Sequence, residues 1–422
     1  MTSNINLNKI LLYSTILVLF IPGDNKKLVL LGGILIIHSA VNGFVLKTKK
    51  SLLSFSMLYF ITVFLSHIFK MYENSIHEIL YFIAVFFIPG YIISKCVITK
   101  KFFFEIIDFI LLIFSIYAIL CIIEGFSQFN IFDIILERQI ELWGANSYRM
   151  GIYRSHGYCS VSINNGMILF MVWMLASYRL YNVTKVKYLI PFILIGISLF
   201  LNLSRMVIIV AVAAQLLILI QLKKSKLFSY ICCTILVLIG IMLLFPEKVE
   251  SIFSDIYNTF IPLIEEFFGN TERNNGMFSG GSGHRFALWN WVYNSTKDSL
   301  LLGQGYGSVF NYIYYVNGFY VIKESIEVHW LYLLYHAGVL GLSGFICYQF
   351  YCIKEMLSTR VISKNSLEKP TFVNVFIIMS LGYFAILFTC AGFEDLELYY
   401  ILFPLFLAYK KLSINGDEVE KE

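Results

Sequence analysis

Residues 186–226 read VKYLIPFILIGISLFLNLSRMVIIVAVAAQLLILIQLKKSK. Two apolar runs, about 188–203 and 206–222, meet at the short turn Asn202-Leu203-Ser204-Arg205. Lys185 and Lys187 precede the pair, and Lys223, Lys224 and Lys226 follow it. A bilayer core asks for about 20 apolar residues as helix, and fewer where flanking side chains reach back to water. The stretch therefore reads as two membrane helices with a tight turn on one side and lysines on the other.

The same window, moved along the chain, predicts spans at 9–23, 28–46, 51–69, 77–95, 102–123, 159–178, 188–203, 206–222, 227–245, 329–353, 371–391 and 396–410. Composition agrees. Of 422 residues, 58% are hydrophobic and 14% charged, where a soluble domain of this size carries nearly twice that charge. Mean hydropathy is +0.75. The fold class expected is an all-α polytopic membrane protein with about 12 transmembrane helices. Ile10 to Ile21 is followed by Pro22-Gly23-Asp24 rather than a small-x-small cleavage site, so it reads as an uncleaved first helix. The eight cysteines fall in or beside apolar runs, which argues against a disulfide framework or a zinc site. The net charge of +5 includes no basic run dense enough for nucleic acid.

Basic residues sort by loop. Lys47, Lys49 and Lys50 follow the second span, Lys95, Lys100 and Lys101 the fourth, and Arg179, Lys185 and Lys187 the sixth. Lys223, Lys224 and Lys226 follow the eighth, Lys354, Arg360, Lys364 and Lys369 the tenth, and Lys410 and Lys411 the twelfth. The intervening loops are poorer in Lys and Arg, Lys26 and Lys27 being the main exception. By the positive-inside rule every even loop is cytoplasmic, so both termini are expected on the cytoplasmic side. Residues 1–245 then hold helices one to nine with an outer loop at about 124–158. Residues 246–328 form a large extracytoplasmic loop, and 329–422 form helices ten to twelve and a cytoplasmic tail. No ATP is present outside, so chemistry there must use an already activated substrate.

Within the large loop, apolar residues from Ile252 to Phe268 recur at helical spacing, which predicts an amphipathic helix kinked at Pro262 and suited to a membrane surface or to covering a small domain. The glycine- and amide-rich run at 269–283 cannot pack a core and reads as mobile, either a lid or a plain linker. A second helix is expected from His284 to Thr296. Gly303-Gln-Gly305-Tyr-Gly307 lacks the preceding strand and following helix of a nucleotide-binding fingerprint. No metal site is legible, the acidic Glu394-Asp395-Leu-Glu397 cluster being a weak exception, and no cofactor is expected.

Three outer-face residues stand out: Arg205 at a helix head, Arg285 opening a loop helix, and His329 where the chain re-enters the membrane. Singly, each reads first as a snorkelling anchor or a structural histidine. Together they resemble a family pattern. Leu203-Ser204-Arg205 is similar to the Ser-Arg motif of the O-antigen polymerase and ligase superfamily of membrane glycosyltransferases. Arg285-Phe-Ala-Leu-Trp289 with Leu302-Gly303-Gln-Gly305 resembles its Arg-x-x-x-Trp…Leu-Gly-x-Gly signature. His329-Trp-Leu-Tyr-Leu…Gly338-Val-Leu-Gly-Leu resembles its His-Asn-x-x-Leu…Gly-Leu-x-Gly block, with Trp330 at the usual Asn. Arg149, Arg154, Gly157 and Asn164-Asn165-Gly166 resemble its Arg-x-x-Gly…Asn segment. These blocks run in family order from about 149 to 344.

The resemblance implies a GT-C-like enzyme with a helical extracytoplasmic loop domain and a donor glycan on undecaprenyl pyrophosphate. Arg205 and Arg285 are then expected to stabilise charge on the departing pyrophosphate, which guanidinium groups bind bidentately without a metal. His329 is expected to accept the proton of the attacking sugar hydroxyl, with Glu327 and the Glu394-Asp395 pair as alternative bases. Arg149, Arg154, Glu327 and Tyr306 are expected substrate contacts. The favoured activity is an O-antigen polymerase joining lipid-linked repeats in lipopolysaccharide biosynthesis. A ligase transferring polymer to lipid A–core and a lipid-linked oligosaccharide flippase are the alternatives. Expected partners are lipid-linked repeat units, membrane lipid and a chain-length regulator, with no nucleic acid.

Overall fold

A computed structural model describes residues 2–21, 24–43, 59, 61–66, 68, 75–97, 99–135, 148–149, 152–159, 161–183, 185–220, 282–305, 308–316, 319–323, 326, 328–362, 371–388 and 394–419. The spans expected at 227–245 and over most of 51–69, the amphipathic helix, and nearly all of the glycine-rich run lie outside these residues.

The helices in chain order are α1 (Thr2–Leu17), α2 (Asp24–Asn42), α3 (Ser75–Cys96), α4 (Lys100–Ser127), α5 (Ile131–Ile135), α6 (Ser162–Val183), α7 (Val186–Leu201), α8 (Arg205–Ile220), α9 (Ser282–Thr296), α10 (His329–Ile362), α11 (Phe372–Leu387) and α12 (Glu394–Val419). Two short antiparallel hairpins interrupt this helical fold. Tyr148–Arg149 (β1) pairs with Ile152–Tyr153 (β2), and Tyr312–Val316 (β3) pairs with Phe319–Lys323 (β4). The described part of the 246–328 loop thus combines helix α9 with a hairpin, where the sequence suggested helix alone.

Among the described residues, four helices are long and apolar enough to cross a membrane: Ile79–Cys96, Lys100–Ser127, Ser162–Val183 and His329–Thr359. Four shorter apolar helices, Leu7–Phe20, Val186–Leu201, Met206–Ile220 and Phe372–Leu387, stand beside them. On α4, Leu112, Ile116, Ile119 and Ile123 are exposed, whereas Ile107, Ile110, Phe114, Tyr117, Ala118 and Cys121 are buried. Water would not tolerate so long an apolar exposed stripe, and lipid requires one. The architecture is that of a polytopic membrane protein. Helix α6 is its axis, in contact with α4, α7, α8, α11 and α12 and buried along almost its whole length.

Local chemistry fixes the helix ends. Thr99 caps α4 by accepting the Phe102 amide at 3.2 Å, and left-handed Gln128 (φ 58°) ends it. Thr371 caps α11 by accepting the Asn374 amide at 3.3 Å. The five cysteines among the described residues are all free.

Ring contacts and ion pairs gather the helix ends onto two opposite faces. On one, Phe103 at the start of α4 meets Phe372 at the start of α11 and Tyr409 near the end of α12. Tyr178 at the end of α6 joins them through Phe372. Lys9–Glu105 (2.6 Å), Arg179–Asp108 (2.8 Å) and Lys410–Glu355 (2.8 Å) lie at this end. At the other, Phe20 meets Tyr117 and Tyr158, and Trp330 at the start of α10 meets Phe388 just past α11. The alternation read from lysine placement demands this grouping of ends. Of the exceptions Lys26 and Lys27, Lys27 pairs with Glu397 at 2.7 Å, both side chains more than nine-tenths buried, while Lys26 is exposed. A lysine neutralised inside the protein carries no orienting charge, which accounts for Lys27.

Candidate functional site

The loop between α5 and α6 returns to the helices through 154–159, and side chains from four elements tie down its backbone. Glu124, at the end of α4, accepts the amides of His156 (2.9 Å) and Gly157 (3.0 Å). Tyr117 of α4 accepts the Tyr158 amide at 3.3 Å and donates to Asn165 Oδ1 at 2.7 Å. Asn165 of α6 donates to the Ser155 carbonyl at 3.1 Å, and Asn130 beside α5 donates to the Gly157 carbonyl at 2.7 Å. Asn202, between α7 and α8, donates to the carbonyls of Ser155 (2.8 Å) and Ser162. Buried backbone groups must find partners, and here side chains supply them where no secondary structure does. Gly157 has φ +57°, and a Cβ there would fall 1.9 Å from the Tyr117 hydroxyl oxygen. Gly157, Asn165 and Gly166 were expected as parts of a motif, and packing around this loop is what they serve.

Arg154 donates through Nε to the Asn202 carbonyl at 3.2 Å, which places it beside the turn ahead of Arg205. Leu203 in that turn is left-handed (φ 54°), and α8 begins on Arg205. A helix start already presents unpaired amides that favour an anion, so a cation placed there gains from an anion's arrival. Arg149 lies in β1 of the same loop.

A second construction joins the outer loop to α10. This helix is interrupted at Gly338 (φ 63°, ψ −165°). The interruption removes helical partners from the carbonyls of Tyr335 and His336 and the amides of Val339 and Leu340. Residues 300–305 replace them all. The amides of Gln304 and Gly305 donate to the carbonyls of Tyr335 (2.6 Å) and His336 (2.9 Å). The carbonyls of Leu300 and Leu301 accept the amides of Val339 (2.9 Å) and Leu340 (3.2 Å). A Cβ on Gly303 would fall 2.5 Å from the Gly338 nitrogen, and one on Gly338 2.5 Å from the Gly303 nitrogen. Broken backbone at membrane depth survives only when protein groups re-satisfy it in this way. His336 Nδ1 lies 3.0 Å from the Gly305 carbonyl and 3.2 Å from Ser308 Oγ. After the break, 339–359 is still about 31 Å of helix, enough to cross a bilayer core alone. The span expected at 329–353 is therefore two pieces, with His329 on the outer one.

His329 opens α10 and is 3% exposed, its ring 4.9 Å from that of Phe345 and stacked at 6.3 Å on Tyr332. Trp330 packs edge-on against Phe388 at 5.0 Å, and its indole Nε1 has no hydrogen-bond partner among the described residues. At this position an aromatic wedge replaces the family's amide. Arg285 lies in the first turns of α9, which packs on α10 through Leu288, Val292, Val328, Leu331, Leu334 and Tyr335. Helix α11 contacts both α8 and α10, so the helices headed by Arg205 and His329 share a neighbour. The side chains of Arg149, Arg205 and Arg285, and all of Tyr306 and Glu327, lie outside what the structure describes. Glu397 is engaged with Lys27 and the Tyr81 hydroxyl.

Sequence reading missed one cluster. His156 is 8% exposed, with Nδ1 3.1 Å from Glu124 Oε1 and Nε2 3.1 Å from Asp133 Oδ1. Burial pulls the imidazole pKa down, but hydrogen bonds and charge from Glu124 and Asp133 outweigh it and raise the pKa above 6.5. The available signal was Glu124, a carboxylate at the end of an otherwise apolar span.

Residues 190–348 match a family model described as O-antigen ligase, and no curated protein matches the chain. The match takes in the turn before Arg205, helix α9, the 300–305 segment, His329 and the break at Gly338. Over those residues the chain is similar to the O-antigen ligase family, in line with the superfamily resemblance carried by its motifs.

Proposed function

We propose that the chain is a surface-polysaccharide polymerase of the bacterial inner membrane, with about 12 spans of GT-C-like type, both termini cytoplasmic and the site on the periplasmic face. The donor is a glycan on undecaprenyl pyrophosphate, and the acceptor is a sugar hydroxyl of another lipid-linked repeat. The anomeric carbon–oxygen bond to pyrophosphate breaks as the acceptor oxygen bonds to that carbon. Arg205 and Arg285 balance the charge left on the pyrophosphate, Arg149, Arg154, Glu327 and Tyr306 hold donor or acceptor, and His329 takes the hydroxyl proton. The chain divides into spans one to nine over 1–245, an outer loop over 246–328, and spans ten to twelve with the tail over 329–422. A chain-length regulator is a fitting partner.

The observation that carries this reading is Arg154 bonded to the carbonyl of Asn202, three residues before Arg205. It sets two guanidinium-bearing segments at one helix head on the face where the loops converge. A single arginine anchors a helix; two converging segments suit a diphosphate. The ligase reading has one point in its favour, the description of the matched family. Lipopolysaccharide from a deletion strain separates the two. A polymerase defect leaves one repeat on the core, a ligase defect leaves none, and an unchanged ladder would overturn both.

A further inference from the structure

The clamp on His156 lies beside the proposed donor site yet takes no part in the chemistry so far assigned. Both ring nitrogens face carboxylate oxygens, at 3.1 Å from Glu124 and 3.1 Å from Asp133. Only an imidazolium donates from both nitrogens at once, and an imidazole so engaged has no lone pair left to accept a substrate proton. His156 is therefore unsuited to be a base and well suited to be a fixed cation. Glu124 is doubly committed: it holds the imidazolium and accepts the amides of His156 and Gly157. Losing the charge on His156 leaves two buried carboxylates facing each other across a neutral ring.

We infer that His156 is a positioning residue, whose imidazolium, held between Glu124 and Asp133, fixes the loop that sets Arg154 against the Asn202 carbonyl ahead of Arg205. The proposal rests on the transferase reading above and adds to it a proton-dependent support for the donor site. Arg154 is two residues from the clamped ring, and Ser155 between them is held by Asn165 and Asn202. Any shift of the ring is passed along three consecutive backbone units.

The groups facing the clamp can be named element by element. Helix α4 contributes Glu124, Tyr117 and Cys121, and α5 contributes Asp133. Strand β2 contributes Tyr153, whose ring is 6.4 Å from the imidazole, and Tyr158 of the loop packs on Tyr117 beside it. The carboxylates raise the imidazole pKa above its ordinary 6.5. The sign follows from that direction: the clamp is fully formed below about pH 6.5 and is lost as pH rises through the raised folded value.

Hydrogen–deuterium exchange on the full-length protein in nanodiscs, corrected for intrinsic rates, tests the clamp without reference to activity. Protection of the 156–158 amides is expected to fall as pH rises in the wild type. His156→Gln should lack that protection at every pH, and Asp133→Asn, which keeps shape and one carboxylate, should lose it at lower pH than the wild type. Protection equal to wild type in His156→Gln would overturn the clamp. Elongation of a lipid-diphosphate-linked repeat, measured on the same samples, tests the positioning. The alkaline limb of the wild-type profile should be absent from His156→Gln, with turnover at least tenfold lower at pH 6.5 and the protein still folded. An unchanged profile with protection lost would overturn the positioning role. A wild type that shifts its protection but elongates no donor would instead overturn the transferase reading, leaving exchange to decide the clamp.

Discussion

Two loop segments are fastened to the helices by contrasting means. Loop 154–159 is held by side chains, with Glu124, Tyr117, Asn130, Asn165 and Asn202 each reaching for a backbone group. Segment 300–305 is held chiefly by backbone, its amides and carbonyls exchanging four hydrogen bonds with the broken helix α10, to which His336 Nδ1 at the Gly305 carbonyl and Ser66 Oγ on the Leu302 carbonyl are additions. The first fastening is a set of separable contacts, one of them charged. The second admits no side chain at its centre, because Gly303 and Gly338 meet nitrogen to Cβ position at 2.5 Å. A side-chain fastening should weaken by degrees and respond to pH. A backbone fastening should be present or absent.

The largest expected effect breaks the second fastening. Gly338→Ala adds a Cβ into the backbone of Leu301 and Gly303 at a positive-φ position. The cost should exceed about 4 kcal/mol, and monodisperse protein should not be recovered from detergent-solubilised membranes. Wild-type yield and elution would show that the two strands of this dock are not in contact. In the first fastening, Glu124→Gln removes the charge from a buried pair and should cost about 3–5 kcal/mol in thermal unfolding, with the protein still assembled. Asn165→Ala removes neutral hydrogen bonds and should cost about 1–3 kcal/mol. Equal losses from the two variants would mean that charge does not distinguish this loop. Smallest of all, Lys187→Ala removes an exposed partner of Asp108 at 3.4 Å and should change stability by no more than about 0.5 kcal/mol.

Much of the fold was legible because lipid imposes a simple rule on length and polarity. The apolar runs at 77–95, 102–123, 188–203 and 206–222 became helices within a few residues of those bounds. The lysine pattern predicted which ends meet, and the ring contacts of Phe103, Phe372 and Tyr409 agree. The break at Gly338 was not legible. A glycine inside an apolar run reads as small, and its left-handed backbone depends on a segment thirty-odd residues upstream. At the site, Arg154 and the turn before Arg205 were singled out by the resemblance of their motifs, and the structure brings them together. The clamp was hidden because its three members, Glu124, Asp133 and His156, lie far apart in sequence and none has a spacing that advertises the others. Trp330 shows the reverse case, a visible departure from a motif whose meaning, packing on Phe388, needed the neighbour to be seen.

The account turns on Arg205 as the cation that meets the leaving diphosphate. The most direct measurement gives the purified full-length protein, in nanodiscs, an undecaprenyl-diphosphate-linked repeat and follows product length on a gel. The wild type should build a ladder of elongated lipid-linked chains with release of undecaprenyl diphosphate. Arg205→Ala, inserted at normal levels, should leave the single repeat untouched. A full ladder from Arg205→Ala would contradict the account.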